Sequence, residues 1–163
     1  MKKSFITISV IIAVITAMQS CKKDKTDTDA DNALYSEATA GGYTFYRSGA
    51  ILPGTAPSPH GSFKLRFNAT AQAALDSTGE LPAGSSFPNG SIIVKEVHSG
   101  SNISLYAVMK KDPSNGNEGS GWVWAEFNTD GSTAFSTAKK GDGCISCHSG
   151  SPTRDLVKTF DLH

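Results

Sequence analysis

Three residues near the carboxyl end of the chain have types and a spacing that suit chemistry. Cys144, Cys147 and His148 form the pattern C-x-x-C-H within the run GDGCISCHSG. Two thiols at this spacing can bond to the two vinyl groups of a haem, with the adjacent imidazole as an axial ligand of the iron. The same residues could instead form a redox-active disulfide or part of a zinc site.

The amino-terminal residues indicate export, which helps to decide between these alternatives. Two lysines precede an apolar stretch over residues 5–17, and small Ser20 stands directly before Cys21. This order is typical of a secretory signal with a lipoprotein cleavage site. We therefore expect residues 1–20 to be a signal peptide and Cys21 to carry the lipid. Plain secretion and a transmembrane helix are the alternatives, although a membrane span needs about 20 apolar residues.

Export also limits what the cysteines can do. The chain has three cysteines, so lipidation of Cys21 leaves only Cys144 and Cys147 as thiols. They have no further partners for a structural disulfide framework. The expected location is the periplasm or the outer membrane of a Gram-negative bacterium, with the lipid as the only contact to the membrane.

Length and charge bound the remaining possibilities. Removal of the signal leaves 143 residues (163 − 20) and a formal charge near −2, from 13 basic against 15 acidic residues. Because the chain has no basic surface field, we exclude nucleic acid as a partner. Residues 21–40 are polar and charged, which predicts a flexible tether, since they bury too little apolar surface to offset their ordering entropy. Residues 41–163 are then one folded domain.

The folded domain shows mostly strand patterns. Short alternating runs are separated by clusters of Gly, Pro, Asn and Ser, and they predict antiparallel strands at YTFYRSG, SFKLRF, SIIVKEVH, SNISLYAVMKK and GWVWAEFN. The run NATAQAALDSTG predicts a helix that is capped by Asn68 and stopped by Gly79. We expect an α+β fold, a mainly antiparallel β-sheet with one or two helices and a carboxyl-terminal haem loop.

The surroundings of the C-x-x-C-H pattern favour haem. The run KKGDGCISCHSGSP is typical of a loop on both sides, whereas a thioredoxin-like disulfide needs a strand before Cys144 and a helix that starts there. A structural zinc site needs a fourth ligand and does not explain a histidine directly after the second cysteine. We predict one covalent haem c, with His148 on the iron.

Several blocks in order resemble the cytochrome P-460 family, which includes the cytochromes c′-beta. The blocks are FPNGSIIVKEVH, LYAVMKK, GWVWAEFN, CISCH and RDLVKTF, and the likeness covers residues 63–160. The resemblance implies a mainly antiparallel sheet, a homodimer, and one c-type haem whose distal side is open to small nitrogen species. It leaves open whether the protein is a hydroxylamine-oxidising enzyme or a haem protein that binds nitric oxide.

The resemblance also implies roles for single residues. Cys144 and Cys147 match the thioether cysteines and His148 the proximal ligand, while Lys95 matches the lysine that in hydroxylamine-oxidising members bonds covalently to the porphyrin edge. Alternation by itself places Lys95 on a strand face with apolar neighbours. There its side chain either extends to water or is desolvated, which makes the amine more nucleophilic.

A carboxylate that moves protons would assist hydroxylamine oxidation. Tyr106 stands in the strand where the hydroxylamine-oxidising members carry such an acid. This departure from the family pattern counts against that activity, unless Glu96 or Glu126 takes the place of the acid. We therefore treat Tyr106, Glu96 and Glu126 as the distal candidates.

Whether a protein side chain occupies the sixth coordination position of the iron decides between ligand binding and electron transfer. We expect Met109 to pack in the core and His60, His98 and His163 to be surface or loop histidines. A five-coordinate haem follows, which would bind or oxidise nitric oxide or hydroxylamine and exchange electrons with a redox partner protein. The alternatives are a six-coordinate electron-transfer cytochrome and a haem-free surface lipoprotein. Arg154 is either a surface residue or a partner of a haem propionate.

Overall fold

A computed structural model describes residues 25–56, 58–151 and 153–163 of the chain. The predicted signal peptide and the lipid attachment at Cys21 lie outside the described residues. Within these ranges, each helix is too short or too polar to span a bilayer.

The described residues form a seven-stranded sheet with four α-helices around it. The strands are β1 (Thr44–Phe45), β2 (Ser62–Phe67), β3 (Ile92–Ser99), β4 (Asn102–Lys111), β5 (Glu118–Gly119), β6 (Trp122–Asn128) and β7 (Thr133–Phe135). The helices are α1 (Lys25–Thr39), α2 (Ala69–Gln72), α3 (Cys144–His148) and α4 (Thr159–Leu162). Two short 3₁₀ segments lie at Tyr46–Gly49 and Thr137–Lys139.

Every strand pair in the sheet is antiparallel, and the strand order is β1-β2-β3-β4-β6-β5. Strand β7 pairs with β6 at Glu126 and Phe127. The four longest strands were predicted from their period of two. Short turns with Gly join β3 to β4, β5 to β6 and β6 to β7, whereas the connection from β2 to β3 is longer and contains α2. The α+β prediction is confirmed.

The sheet separates two apolar cores. On one face, large side chains pack together with the carboxyl-terminal residues, and this core contains Phe63, Leu65, Phe67, Phe87, Ile93, Met109, Trp122, Trp124, Val157 and Phe160. On the other face, α1 covers a core of smaller side chains that contains Leu34, Ala38, Ile92, Val94, Val108, Val123, Ala125 and Phe127. Both faces of the central strands are therefore buried, which fixes their register.

The prediction of a flexible tether over residues 21–40 is wrong for α1. Asp31, Leu34 and Ala38 follow each other at helical spacing, and all three are buried. Asp31 Oδ1 accepts hydrogen bonds from the Thr137 backbone N at 2.9 Å and from Thr137 Oγ1 at 2.7 Å. The polar composition does not predict this helix, because a few specific contacts, rather than a broad apolar face, dock it on the sheet.

Two further elements are shorter than predicted. The Ala71 backbone N donates to Asn68 Oδ1 at 2.9 Å, so the predicted cap is confirmed, but α2 already ends at Gln72. The first predicted strand is reduced to Thr44–Phe45, because Arg47 and Ser48 adopt left-handed backbone conformations that turn the chain out of the sheet.

We expect Asp31→Ala to destabilise the protein by about 1–3 kcal/mol, because the buried Thr137 N–H then has no acceptor. Urea unfolding of the two proteins measures the difference. Asp29→Ala is the matched control, because Asp29 is exposed on the same helix and should change stability little. Equal effects of the two substitutions would show that α1 is not docked through Asp31.

Candidate functional site

A cavity of about 670 Å³ lies between the sheet face with the larger side chains and the carboxyl-terminal residues. This volume is within the range of about 300–1,000 Å³ that is usual for ligand and cofactor sites. Cys144, Cys147 and His148 line the cavity together with Lys95 and Glu126. The structure thus brings together five of the residues that the sequence singled out.

Strand register explains why residues far apart in sequence meet in this wall. Leu65 pairs with Lys95, Lys95 with Ala107, and Ala107 with Glu126. All four line the cavity, and they form one row across β2, β3, β4 and β6. Neighbouring strands lie about 4.8 Å apart, so the backbones at Lys95 and Glu126 are separated by roughly 10 Å, with only the small Ala107 side chain between them.

The segment with the two cysteines differs from the prediction of a haem loop. Residues Cys144–His148 form the short helix α3, which begins after Gly141 and Gly143, both in left-handed conformations. The backbone N atoms of Cys144 and Ile145 donate to the Gly141 carbonyl oxygen at 2.9 and 3.0 Å. Five residues are too few to show a helical period, so no pattern in the sequence predicts this helix.

A helix that starts at the first cysteine is also a feature of thioredoxin-like sites, but the electrostatics here oppose that chemistry. Burial raises the pKa of the Cys144 thiol, and the negative charges of Glu126 and Asp142 raise it further. A redox-active first cysteine requires the opposite shift. The described residues also contain no group of three His, Cys, Asp or Glu side chains arranged for a metal ion, as a zinc site would require.

His148 is held in the form that can bind a metal. Its Nδ1 atom lies 2.7 Å from the Leu156 carbonyl oxygen, and since a carbonyl only accepts, Nδ1 carries the hydrogen. The lone pair is then on Nε2. Burial lowers the pKa of His148 to about 4, although the bond to Leu156 opposes this shift, so the ring is neutral at pH 7.

Besides its hydrogen bond to Leu156, His148 has an aromatic contact with Trp124. The two rings meet edge to face, with 5.1 Å between their centroids. Trp124 Nε1 donates to the Gly119 carbonyl oxygen at 2.9 Å. Gly141 lies directly against the indole, where an added Cβ atom would be 2.5 Å from Trp124 Cδ1. The start of the cysteine segment therefore packs on the same tryptophan that supports the histidine.

Lys95 faces the cavity from the centre of the sheet. Its Nζ atom lies 4.2 Å from the centroid of the Phe63 ring, and no carboxylate of the described residues forms an ion pair with it. Burial lowers the pKa of Lys95 to about 8. At pH 7 about a tenth of the molecules then carry a neutral amine, which is a nucleophile. The sequence left this choice between water and desolvation open, and the structure favours desolvation.

Two histidines that were expected at the surface or in loops do lie in loops, but they also line the cavity. His60 Nε2 donates to Glu126 Oε1 at 2.9 Å. His163 lies edge to face against Phe63, and its Nε2 atom is 3.3 Å from Thr55 Oγ1. Both histidines lie in irregular segments without a periodic pattern, so sequence reasoning had no means of placing them. His98 does not line the cavity, but the expected surface or loop position is wrong for it, because it lies within β3 with both ring nitrogens buried.

The other distal candidates lie on the opposite face of the sheet. Glu96 Oε1 accepts a hydrogen bond from Arg66 Nε at 2.7 Å in a buried ion pair. Tyr106 is the register partner of Glu96 and packs edge to face on Tyr35 of α1, with 6.4 Å between the centroids. Of the three candidates, only Glu126 reaches the cavity.

Arg154 has no place in the cavity either. Its guanidinium pairs with Glu80 Oε2 at 3.1 Å and with Asp161 Oδ1 at 3.0 Å, and it donates to the Leu81 carbonyl oxygen at 2.8 Å. Its suggested contact with a haem propionate is therefore not supported. Met109 packs in the core as predicted, at 8% exposure, although its side chain also lines the cavity.

A family model described as Cytochrome P460 matches residues 53–159, which is about two thirds of the chain. The chain belongs to the cytochrome P460 family. Membership implies a haem cofactor. A search of curated proteins found no match to the chain.

The cavity residues fit the haem that the P460 family implies. His148 presents an unprotonated Nε2, and the two thiols of Cys144 and Cys147 lie one helical turn apart on α3, facing the same space. The half-buried side chain of Lys95, which no described carboxylate neutralises, faces that space as well. A polar group of this kind in an apolar wall is expected to have a ligand.

We expect Gly141→Ala to destabilise the protein by about 2–4 kcal/mol, because it combines a left-handed backbone with a collision against Trp124. Thermal unfolding measures the loss. Gly143→Ala is the matched control, because its φ of 82° is also positive but an added Cβ atom meets nothing within 4 Å. A Gly141→Ala protein no less stable than Gly143→Ala would show that Trp124 does not hold this segment.

Proposed function

We propose that the protein is a lipid-anchored cytochrome with one covalent c-type haem, which binds or oxidises a small nitrogen species such as nitric oxide or hydroxylamine. Cys144 and Cys147 would form the two thioethers, and His148 would hold the iron through Nε2. The observation that carries the proposal is the single cavity that contains these three residues, Lys95 and Glu126. When bound, a haem supplies an iron that takes a small ligand and exchanges electrons.

We infer that the sixth coordination position of the iron is open, because the side chains that could occupy it have other contacts. His60 is engaged with Glu126, and His163 packs between Phe63 and Thr55. Met109 is packed into the apolar core. Because each of these groups already has a partner, ligation by one of them would require a rearrangement. A six-coordinate electron-transfer cytochrome is therefore the less favoured candidate.

Glu126, held in place by His60, gives the cavity a group that can take up a proton. Hydroxylamine loses protons as well as electrons when it is oxidised, so a base in the cavity assists the reaction. The Glu126 carboxylate can take up a proton, and His60 Nε2, 2.9 Å away, orients that carboxylate by donating a hydrogen bond to Oε1. The electrons need a separate acceptor, for which we propose a redox partner protein.

The decisive experiment combines the intact mass and the ferrous spectrum of the full chain, made in a host that exports it and attaches haem c. We expect cleavage before Cys21, the mass of a lipid and of one haem, and a high-spin ferrous spectrum that changes on addition of carbon monoxide or nitric oxide. In Lys95→Ala, any red-shifted ferrous band that depends on a bond from Lys95 to the porphyrin would disappear. Lys64→Ala on the neighbouring strand is the control, because Lys64 contacts Phe45 and does not line the cavity.

The other outcomes are equally informative. A low-spin spectrum that added ligand leaves unchanged would contradict the proposal and support electron transfer. A mature protein without the mass of a haem would contradict both. Coinciding spectra of the wild type and Lys95→Ala would exclude the cross-link and favour a protein of the cytochrome c′-beta kind.

We expect Glu126→Gln to lower hydroxylamine oxidation by about 100-fold or more, because the amide keeps the shape of the side chain but cannot take up a proton. Steady-state oxidation by the holoprotein measures the loss, and an unchanged ferrous spectrum shows that the haem is still in place. Tyr106→Phe is the control, since Tyr106 lies on the opposite face and should keep full activity. If the wild type binds nitric oxide but does not oxidise hydroxylamine, the binding function applies instead.

A further inference from the structure

A four-residue turn that follows α3 carries the carbonyl group to which His148 is bonded. Arg154 and Val157 close the turn with two backbone hydrogen bonds of 3.1 and 2.8 Å. The two central residues, Asp155 and Leu156, adopt left-handed conformations with φ of 47° and 68°. Such conformations are unfavourable for residues with a side chain, and they persist only where surrounding contacts impose them.

Asp155 supplies those contacts through a buried set of hydrogen bonds. Lys111 Nζ donates to Asp155 Oδ1 at 2.7 Å and to Oδ2 at 3.0 Å. The Phe87 backbone N donates to Oδ2 at 2.8 Å, and Trp122 Nε1 lies 3.4 Å from Oδ1. The side chains of Lys111 and Asp155 are only 13% and 10% exposed. The carboxylate thus ties the turn to β4, to β6 and to the connector before β3.

The turn that Asp155 holds is hydrogen-bonded directly to His148. Asp155 precedes Leu156, whose carbonyl oxygen accepts from His148 Nδ1 at 2.7 Å. The direction of that carbonyl depends on the backbone of Asp155 and Leu156, which the carboxylate holds. A hydrogen bond at Nδ1 fixes the orientation of a metal-bound imidazole and makes it a stronger electron donor.

We propose that Asp155 is a positioning residue for the haem iron, which acts by fixing the turn that aims the Leu156 carbonyl at His148. It does not contact the haem itself. The inference rests on the proposed role of His148 as axial ligand, but it concerns the strength of that ligand rather than the small molecule that the iron binds.

Asp155→Asn tests the proposal in the holoprotein. The amide keeps the shape of the side chain but removes the charge that pairs with Lys111, so the turn loosens and the bond at Nδ1 weakens. We expect the iron–histidine stretching frequency of the ferrous protein to fall. The one-electron equilibrium should shift towards the reduced form by about three- to tenfold, because a poorer donor stabilises ferric iron less. A tenfold shift corresponds to about 59 mV.

Asp161→Asn is the matched control. It removes a nearby carboxylate, which pairs with Arg154 of the same turn but does not belong to the cluster around Asp155. Both observables should stay at their wild-type values. If Asp155→Asn folds poorly, the double variant Lys111→Met with Asp155→Asn removes both charges together, which proteins tolerate better than a lone buried charge. It should show the same shifts.

The outcomes separate this inference from the proposed function. A wild type with an iron–histidine band, together with variants whose frequency and potential are unchanged, would overturn the role of Asp155 alone. A wild type without that band would overturn both proposals. Should neither variant fold, the exchange of the His148 Nδ1 proton in the wild type decides. Slow exchange with solvent supports a rigid turn, and rapid exchange contradicts it.

Discussion

The central strands β3, β4 and β6 present alternate side chains to two buried faces, and this alternation determines which residues form the site. Lys95, Ala107 and Glu126 occupy one row because they are register partners. A slip of one residue in β3 would turn Lys95 towards α1 and bring Glu96 into the cavity. Apolar burial on both faces opposes such a slip, so packing far from the cavity maintains its chemistry.

The ionisable groups on the two faces of the sheet differ in whether they have a partner of opposite charge. On the α1 face, Arg66 and Glu96 neutralise each other at 2.7 Å, and the guanidinium also lies 4.6 Å from the Tyr43 ring centroid. Because each charge in this pair has a partner within the protein, the pair is consistent with a structural role. On the cavity face, Lys95 has an aromatic contact with Phe63, and no described carboxylate neutralises it. Folding alone gives no reason to keep a partly buried amine there, whereas a bound cofactor does.

Prediction from the sequence succeeded where a pattern repeats over many residues. Strands of six to ten residues show their alternation clearly. The prediction failed where single contacts decide the structure. Docking of α1 depends on Asp31 meeting Thr137, 106 positions further along the chain. The placement of Tyr106 as a distal candidate failed differently, because a difference of one position, to Ala107, decides which face a residue occupies.

The short helix α3 shows why the motif alone does not define the site. An isolated helix of five residues is unstable in water, so its position must come from tertiary contacts. Trp124 supplies one contact and the Leu156 carbonyl another, through His148. Trp124 belongs to the sheet, and the turn around Leu156 is tied to the sheet through Asp155 and Lys111. The direction of the histidine is therefore a property of the folded sheet, and a C-x-x-C-H segment transferred without these partners would keep its thiols but lose the orientation of its imidazole.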